Sequence, residues 1–552
     1  MQKDCANCGE NFEVFQRDLE FYKKFDVPVP GICFHCRLQR RLAFRNEYNL
    51  YKDQCDLCGD KIISIFSSDK TTPSVYCVKC YWGDNWDPMD YGMDFDFNRP
   101  FFEQIKNLYS SVPHLNLIQL GGANINSEYT HDGYRFKNSY LIFDGEQAED
   151  CYYGETLVKI KDCADFLHLA YSELCYECIN CVNCYKLTHS QCCQDCSNSS
   201  FLFGCVGVKD SFACANLHQK QYHIFNKPYS KEEYEQEIKR FRLDTHDGLE
   251  AFKKRFEELL ISRPKKFMYG TKNENVSGDN LNGCKDVFNS FDCLNGRDCS
   301  YCTNVMLSAN DCYDIDVFGD NLSFSYNSAC LGAGANNVLG SYYVGFNSSD
   351  IAYSIWCTRG TSNLFGCVGL RKKEYCIFNK KYSQEDYFNL RAKIVEHMKK
   401  TGEWGEFFPP EISLFGYNES VAQIYFPLTE EEVKEKGYKW HKEEEKVDCV
   451  SKSLPQTSKE FSADLCKEIY ACESCKKGYK IIPQELSLLK SLNHPLPRNC
   501  FMCRHKKRFS LRTPRRLWER HCDKCGKDIK TAYSPDRPDK IYCEECYQKE
   551  VY

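Results

Sequence analysis

Eight C-x-x-C pairs stand at the two ends of this 552-residue chain. Cys5/Cys8, Cys33/Cys36, Cys55/Cys58 and Cys77/Cys80 open it, and Cys472/Cys475, Cys500/Cys503, Cys522/Cys525 and Cys543/Cys546 close it. From Cys8 to Cys33 is 25 positions, and the next two gaps are 19 and 19; from Cys475 to Cys500 is 25, followed by 19 and 18. The same spacing is laid down twice. A C-x-x-C turn aims two sulfurs at one ion, and two such turns complete a closed tetrahedral site with Zn–S near ~2.3 Å. Thiolates are soft ligands that select zinc over magnesium or calcium. The expectation is four structural Zn2+ ions with no open position for catalysis. Sequential pairing gives each site zinc-ribbon spacing; a cross-braced arrangement would interleave the pairs.

Cysteine is abundant throughout, with 38 residues. In a long chain whose first residues, Met1-Gln-Lys-Asp-Cys5, already enter a cysteine motif, this usage reads as metal binding in the cytoplasm rather than secreted disulfides. No apolar run approaches the ~18 residues of a membrane span. A net charge of −6 excludes a globally basic nucleic-acid binder and leaves room for local basic patches.

Such a patch follows the second pair of each module. Arg37, Arg41 and Arg45 are four apart beside Leu38 and Leu42, and Arg504, Arg508 and Arg512 repeat them. Four-residue spacing places them on one helical stripe. Two readings stand: the stripe grips phosphates, or it is a solvated face balancing the charge of a tetrathiolate site. The first makes RNA, DNA or the ribosome candidate partners, with another protein as the alternative.

The run Cys5-Ala-Asn-Cys8-Gly-Glu-Asn-Phe, then Leu19-Glu-Phe-Tyr22 and Cys33-Phe-His-Cys36-Arg37, resembles the probable zinc-ribbon, treble-clef domain family. The whole chain resembles uncharacterised multi-zinc-ribbon proteins of small-genome, uncultivated bacteria. The resemblance implies zinc ligands at Cys5, Cys8, Cys33 and Cys36 and at the matching C-terminal positions, and it implies no catalytic residues. The C-terminal copy departs from the motif, with Lys476 in place of Gly9 and Lys477 in place of Glu10.

The centre obeys another rule. Asp150-Cys151-Tyr152, Asn183-Cys184-Tyr185 and Asp311-Cys312-Tyr313 exemplify a recurring pattern, and Ser139, Cys151, Cys163, Cys175, Cys184, Cys196 and Cys205 fall 9 or 12 apart. This period suits short strands in a β-solenoid, two or so per coil, with small residues stacked on one corner and aromatics filling the core. A longer duplication overlies it. Phe203-Gly-Cys-Val-Gly-Val-Lys209 recurs as Phe365-Gly-Cys-Val-Gly-Leu-Arg371, and Lys220-Gln-Tyr-His-Ile-Phe-Asn226 as Lys373-Glu-Tyr-Cys-Ile-Phe-Asn379. Ser230-x-x-Glu233 and Ser383-x-x-Asp386 then predict capped helices.

Cys175, Cys178, Cys181 and Cys184 are spaced like an iron–sulfur run but lack the three-residue gap and the Pro of the ferredoxin pattern. Buried free thiols are the preferred reading. His131, His168, His189 and His223 sit in no ligand spacing, and Gly332-Ala-Gly-Ala335 reads as a turn.

The expected fold is mainly β, with small α+β zinc modules. Tandem treble-clef or zinc-ribbon modules at 1–90 and 466–552 flank a β-solenoid in two halves, 137–229 and 264–382. A connector spans 91–136, a helical insertion 230–263, and a helix and charged connector 383–465. The expected function is a non-enzymatic zinc-binding scaffold or adaptor with basic helices toward nucleic acid or ribosome. A carbohydrate-binding or carbohydrate-active β-helix protein and an iron–sulfur or redox protein are the alternatives.

Overall fold

The computed structural model describes residues 1–67, 74–119, 124–442 and 454–551. Part of the expected charged connector, 443–453, lies outside the described residues. Two stacks of short parallel strands form the centre, one of ten strands and one of thirteen. In the first, each residue pairs with one twelve positions on: Thr130 with Ile142, Tyr140 with Tyr152, Ala164 with Tyr176 and Ser200 with Phe212. In the second the step is eleven at Gly270–Leu281 and thirteen at Ala309–Leu322 and Ser349–Ser362.

The twelve-residue step is divided by the backbone into threes. Asp144, Gln147, Asp150, Tyr153, Thr156, Lys159, Asp162 and Asp165 all have φ between 50° and 61°, and the third-residue rhythm runs through the stack. A left-handed residue bends the chain sharply and costs an ordinary L-residue ~1–2 kcal/mol, less for Asn and Asp. That explains the Asp or Asn before many of the cysteines: the acid or amide occupies the bend, and the next side chain turns inward. Ala148, Cys151, Leu157, Ile160, Cys163, Phe166 and Leu169 are therefore buried in the bore. The bends come at every third residue and divide each twelve-residue step into four short segments.

The interior also differs from the expected aromatic filling. Cysteine, leucine, valine and isoleucine dominate both bores. Most aromatics lie outside them, where stacks, helices and terminal modules meet.

Each stack ends in the same device. Asn226 donates to the carbonyl of Ala215 and accepts from its N–H, both at 2.8 Å, and Asn379 does the same to Val368, both at 2.8 Å. The side-chain amide thus stands in for the missing next coil. An antiparallel return follows, then a capped helix. Ser230 caps Lys231–Ile238 and Ser383 caps Gln384–Thr401. The first of these segments breaks after Phe241 and resumes as His246–Ser262, whose Phe252 and Phe256 pack on Phe201. Covering the terminal edge removes a template for unwanted strand pairing. No helix among the described residues is long and apolar enough to cross a membrane.

Candidate metal centres

The four tetrads at the ends are built alike. In each, the first C-x-x-C pair sits on a tight turn. The N–H of Gly9 donates to Cys5 O at 2.9 Å, that of Gly59 to Cys55 O at 2.8 Å, that of Lys476 to Cys472 O at 3.0 Å, and that of Gly526 to Cys522 O at 2.9 Å. The turn needs a left-handed residue; Gly9, Gly59 and Gly526 supply it with φ of 72°, 77° and 75°. Lys476 adopts φ 64° in the same place, so the departure from glycine strains the turn without abolishing it.

The second pair of each tetrad opens a helix: Phe34–Leu42, Val78–Tyr81, Phe501–Ser510 and Glu544–Val551. The first cysteine of that pair donates its N–H to the opposing sulfur. Cys33 N reaches Cys5 Sγ at 3.2 Å, Cys77 N reaches Cys55 Sγ at 3.2 Å, and Cys500 and Cys543 reach Cys472 and Cys522 at 3.3 Å each.

These contacts gather Cys5, Cys8, Cys33 and Cys36; Cys55, Cys58, Cys77 and Cys80; Cys472, Cys475, Cys500 and Cys503; and Cys522, Cys525, Cys543 and Cys546. Within each set all four sulfurs lie within 4.8 Å of one another. The grouping is sequential. Facing sulfurs are 3.8 Å apart at Cys8–Cys33, 3.9 Å at Cys58–Cys77, and 3.7 Å at Cys475–Cys500 and Cys525–Cys543. A tetrahedron with ligands ~2.3 Å from its centre has edges of ~3.8 Å. The four groups can therefore hold metal ions. Burial opposes ionisation of Cys55, Cys472 and Cys522, but converging backbone N–H groups outweigh it, lowering Cys55 to about 7 and the other two to about 6. Thiolate is the form a metal requires.

The arginine stripe faces inward. Arg37, Arg41, Arg45, Arg504, Arg508 and Arg512 all have buried side chains held in ion pairs. Arg37 and Arg41 share Asp314 of the second stack, at 2.9 and 3.4 Å. Arg504 and Arg508 share Asp165 of the first, at 3.2 and 2.7 Å. Arg45 bonds Glu47 at 2.6 Å and Asp316 at 2.9 Å, and Arg512 bonds Asp292 at 2.6 Å. Neither a phosphate grip nor a solvated face fits this placement, because these guanidinium groups have no route to solvent or backbone phosphate. Both helices bury their arginines, the first beside Leu38 and Leu42 and the second beside Phe501 and His505.

Spacing alone does not single out the acceptors. Asp165 and Asp314 occupy the same left-handed bends that favour Asp for backbone reasons, so their second role is hidden in a repeat full of Asp. Tyr48, Glu155 and His505 carry no sequence signal either. Tyr48 donates to Glu155 at 2.6 Å, and His505 Nε2 stands 3.3 Å from the same carboxylate. One buried acid thus touches both terminal modules. The second tetrads dock differently: Arg359 lies over the Trp82 ring at 3.9 Å, and Lys265 pairs with Asp539 at 2.5 Å.

The central cysteines serve the backbone. Cys175 Sγ donates to Glu173 O, Cys178 to Tyr176 O at 3.6 Å, Cys181 to Ile179 O and Cys184 to Val182 O. Ser139, Ser172 and Ser190 make the same bond to the carbonyl two residues back. Where a bore position carries a small donor, Cys and Ser serve alike. Burial pushes the Cys214 and Cys357 thiols up to about 12, whereas hydrogen bonds from the Cys163 and Cys178 thiols pull Cys175 down to about 5. Among the described residues, only the terminal tetrads bring three or more His, Cys, Asp or Glu ligand atoms this close together. His131, His168 and His189 are substantially enclosed, and His189 stacks on His494 at 5.2 Å. His223 is half-buried, and Gly332–Ala335 forms the turn between two strands.

No family model matches this chain, and no curated protein matches it. Among solved structures, one from Desulfovibrio desulfuricans G20, assigned provisionally as an acetyltransferase, is similar at 10% identity over 48% of this chain and 71% of that one. At a TM-score of 0.10 the likeness carries no argument about fold or activity.

Proposed function

We propose that this chain is a non-enzymatic zinc scaffold, with tandem treble-clef or zinc-ribbon modules clamped onto a two-part β-solenoid. The observation that carries the reading is the repeated tetrathiolate geometry, with facing sulfurs 3.7–3.9 Å apart. Four cysteines per ion close the coordination sphere, so the metal would organise structure rather than activate water. The parallel register of twelve residues in the first stack, and eleven to thirteen in the second, supports the solenoid. A reducing cytoplasm is the compartment in which sixteen thiolate ligands and the bore thiols would persist.

The carboxylates gathered around Arg45 favour this over an enzyme. Glu47, Asp132, Asp144 and Asp316 are all buried there, away from an exposed groove where a glycan would lie. Partner contact, whether with nucleic acid, ribosome or protein, would use surfaces other than the arginine stripe. Elemental analysis of protein purified without chelator tests the proposal. It expects about four zinc ions per chain; two or fewer, or iron in their place, would overturn it.

A further inference from the structure

A cleft of about 240 Å³ opens where the first terminal module, the second stack and the Arg515–Leu517 segment meet. Three of its lining residues hold polar atoms that find no hydrogen-bond partner: Asp18 Oδ1, His35 Nε2 and the Arg515 guanidinium. Asp18 is almost wholly buried. Its Oδ2 accepts from Phe15 N at 3.0 Å and Tyr301 Oη at 2.8 Å, while Oδ1 has only Arg17 Nε at 3.9 Å. Arg515 is also enclosed; it lies over the Tyr425 ring at 4.2 Å and pairs with Asp292 and Asp316 at 3.6 Å each, without a hydrogen bond to either. Arg516 adds a half-exposed cation at the rim, held loosely by Glu10 at 3.4 Å. Phe12, Phe34 and Phe291 contribute apolar walls.

Buried polar groups are nearly always paired, so several unpaired ones around one cavity call for an occupant. The chemistry is directional. A bare carboxylate oxygen seeks a donor, guanidinium groups seek an anion, and aromatic walls seek a flat apolar body. The volume, small beside the ~300–1,000 Å³ of ordinary ligand pockets, limits that body to roughly one ring.

We propose that this cleft binds a small zwitterion carrying one planar ring, the chemistry of a free aromatic amino acid. Its ammonium would meet Asp18, its carboxylate Arg516 and Arg515, and its ring the phenylalanines. The site is independent of the scaffold reading, because none of these contacts requires a particular ion in the tetrads.

Titration calorimetry on the full, metal-loaded chain tests it with L-phenylalanine, 3-phenylpropionate, phenethylamine and glycine. L-Phenylalanine should bind at least about tenfold more tightly than the three fragments, which each lack one recognition element. Asp18→Asn keeps the helix cap and should weaken L-phenylalanine about tenfold or more while leaving 3-phenylpropionate unchanged. Arg516→Ala, at an exposed position, should weaken both acids and leave phenethylamine unchanged. The proposal fails if L-phenylalanine shows no binding up to about 10 mM, in which case the cleft holds water only. It fails equally if both variants bind L-phenylalanine as the parent does.

Discussion

The two arginine helices share a sequence pattern and a mode of docking, yet they differ in how their buried charge is neutralised. At the first, Arg37 and Arg41 converge on Asp314, and their other partners are uncharged: Ile32 O at 2.6 Å and Asn327 Oδ1 at 2.9 Å. At the second, Arg504 also reaches Glu485 at 2.8 Å, and Arg508 also reaches Glu177 at 3.4 Å. The first two arginines of the N-terminal stripe thus depend on one carboxylate and those of the C-terminal stripe on three. The helices are also crossed relative to the sequence. The helix of the first N-terminal tetrad packs on the second stack and its C-terminal counterpart on the first, although Tyr48 also reaches Glu155 of the first stack and Arg512 reaches Asp292 of the second.

The largest expected effect breaks this comparison at its acids. Asp314→Ala should destabilise the protein by roughly 3–5 kcal/mol, since it leaves two guanidinium groups buried without a counter-ion. Asp165→Ala should cost less, because Glu485 and Glu177 remain. Urea unfolding of both variants with confirmed metal content checks the order; equal losses would remove the asymmetry.

Protons should act on both ends alike. Burial holds His114 at the N-terminal side and His494 at the C-terminal side to about 4. An unfolded histidine titrates near ~6.5. The folded state resists protonation, so this contribution is complete above pH ~6.5 and is lost as pH falls toward ~4, by roughly 1–3 kcal/mol for each residue. Stability measured between pH 7.5 and 4.5 should fall, and His114→Gln or His494→Gln should each flatten the slope. A variant with an unchanged slope would show that its histidine is not buried neutral.

The smallest effect separates cysteines by location. Cys178→Ser should cost about 1 kcal/mol or less, because serine already makes the same bond elsewhere in the bore. Cys178→Ala, which leaves a buried carbonyl short of a donor, should cost about 1–3 kcal/mol. By contrast, Cys33→Ser should lose one equivalent of metal. Equal unfolding midpoints for the two Cys178 variants would refute the donor role.

The contrast also shows what the sequence could disclose. Cysteine spacing marked all sixteen positions of the four tetrads, because a C-x-x-C turn is a local geometry. Capping serines marked helix starts for the same reason. The twelve-residue rhythm was visible, but its division into threes was not, since left-handed backbone leaves only a statistical trace in Asp and Asn. The direction of the arginine stripe was the least legible feature. Helical spacing puts Arg37, Arg41 and Arg45 on one face without saying what that face meets. The answer, Asp314, lies 277 residues from Arg37 among many similar aspartates.

That direction is the central claim, and arginine-selective labelling read by peptide mass spectrometry tests it most directly. In metal-loaded protein, Arg37, Arg41, Arg45, Arg504, Arg508 and Arg512 should stay unmodified while the exposed Arg240 and Arg516 react. Chelation should then expose the six as the modules come apart. Rapid labelling of those six in the loaded protein would contradict the account and return the stripe to the surface.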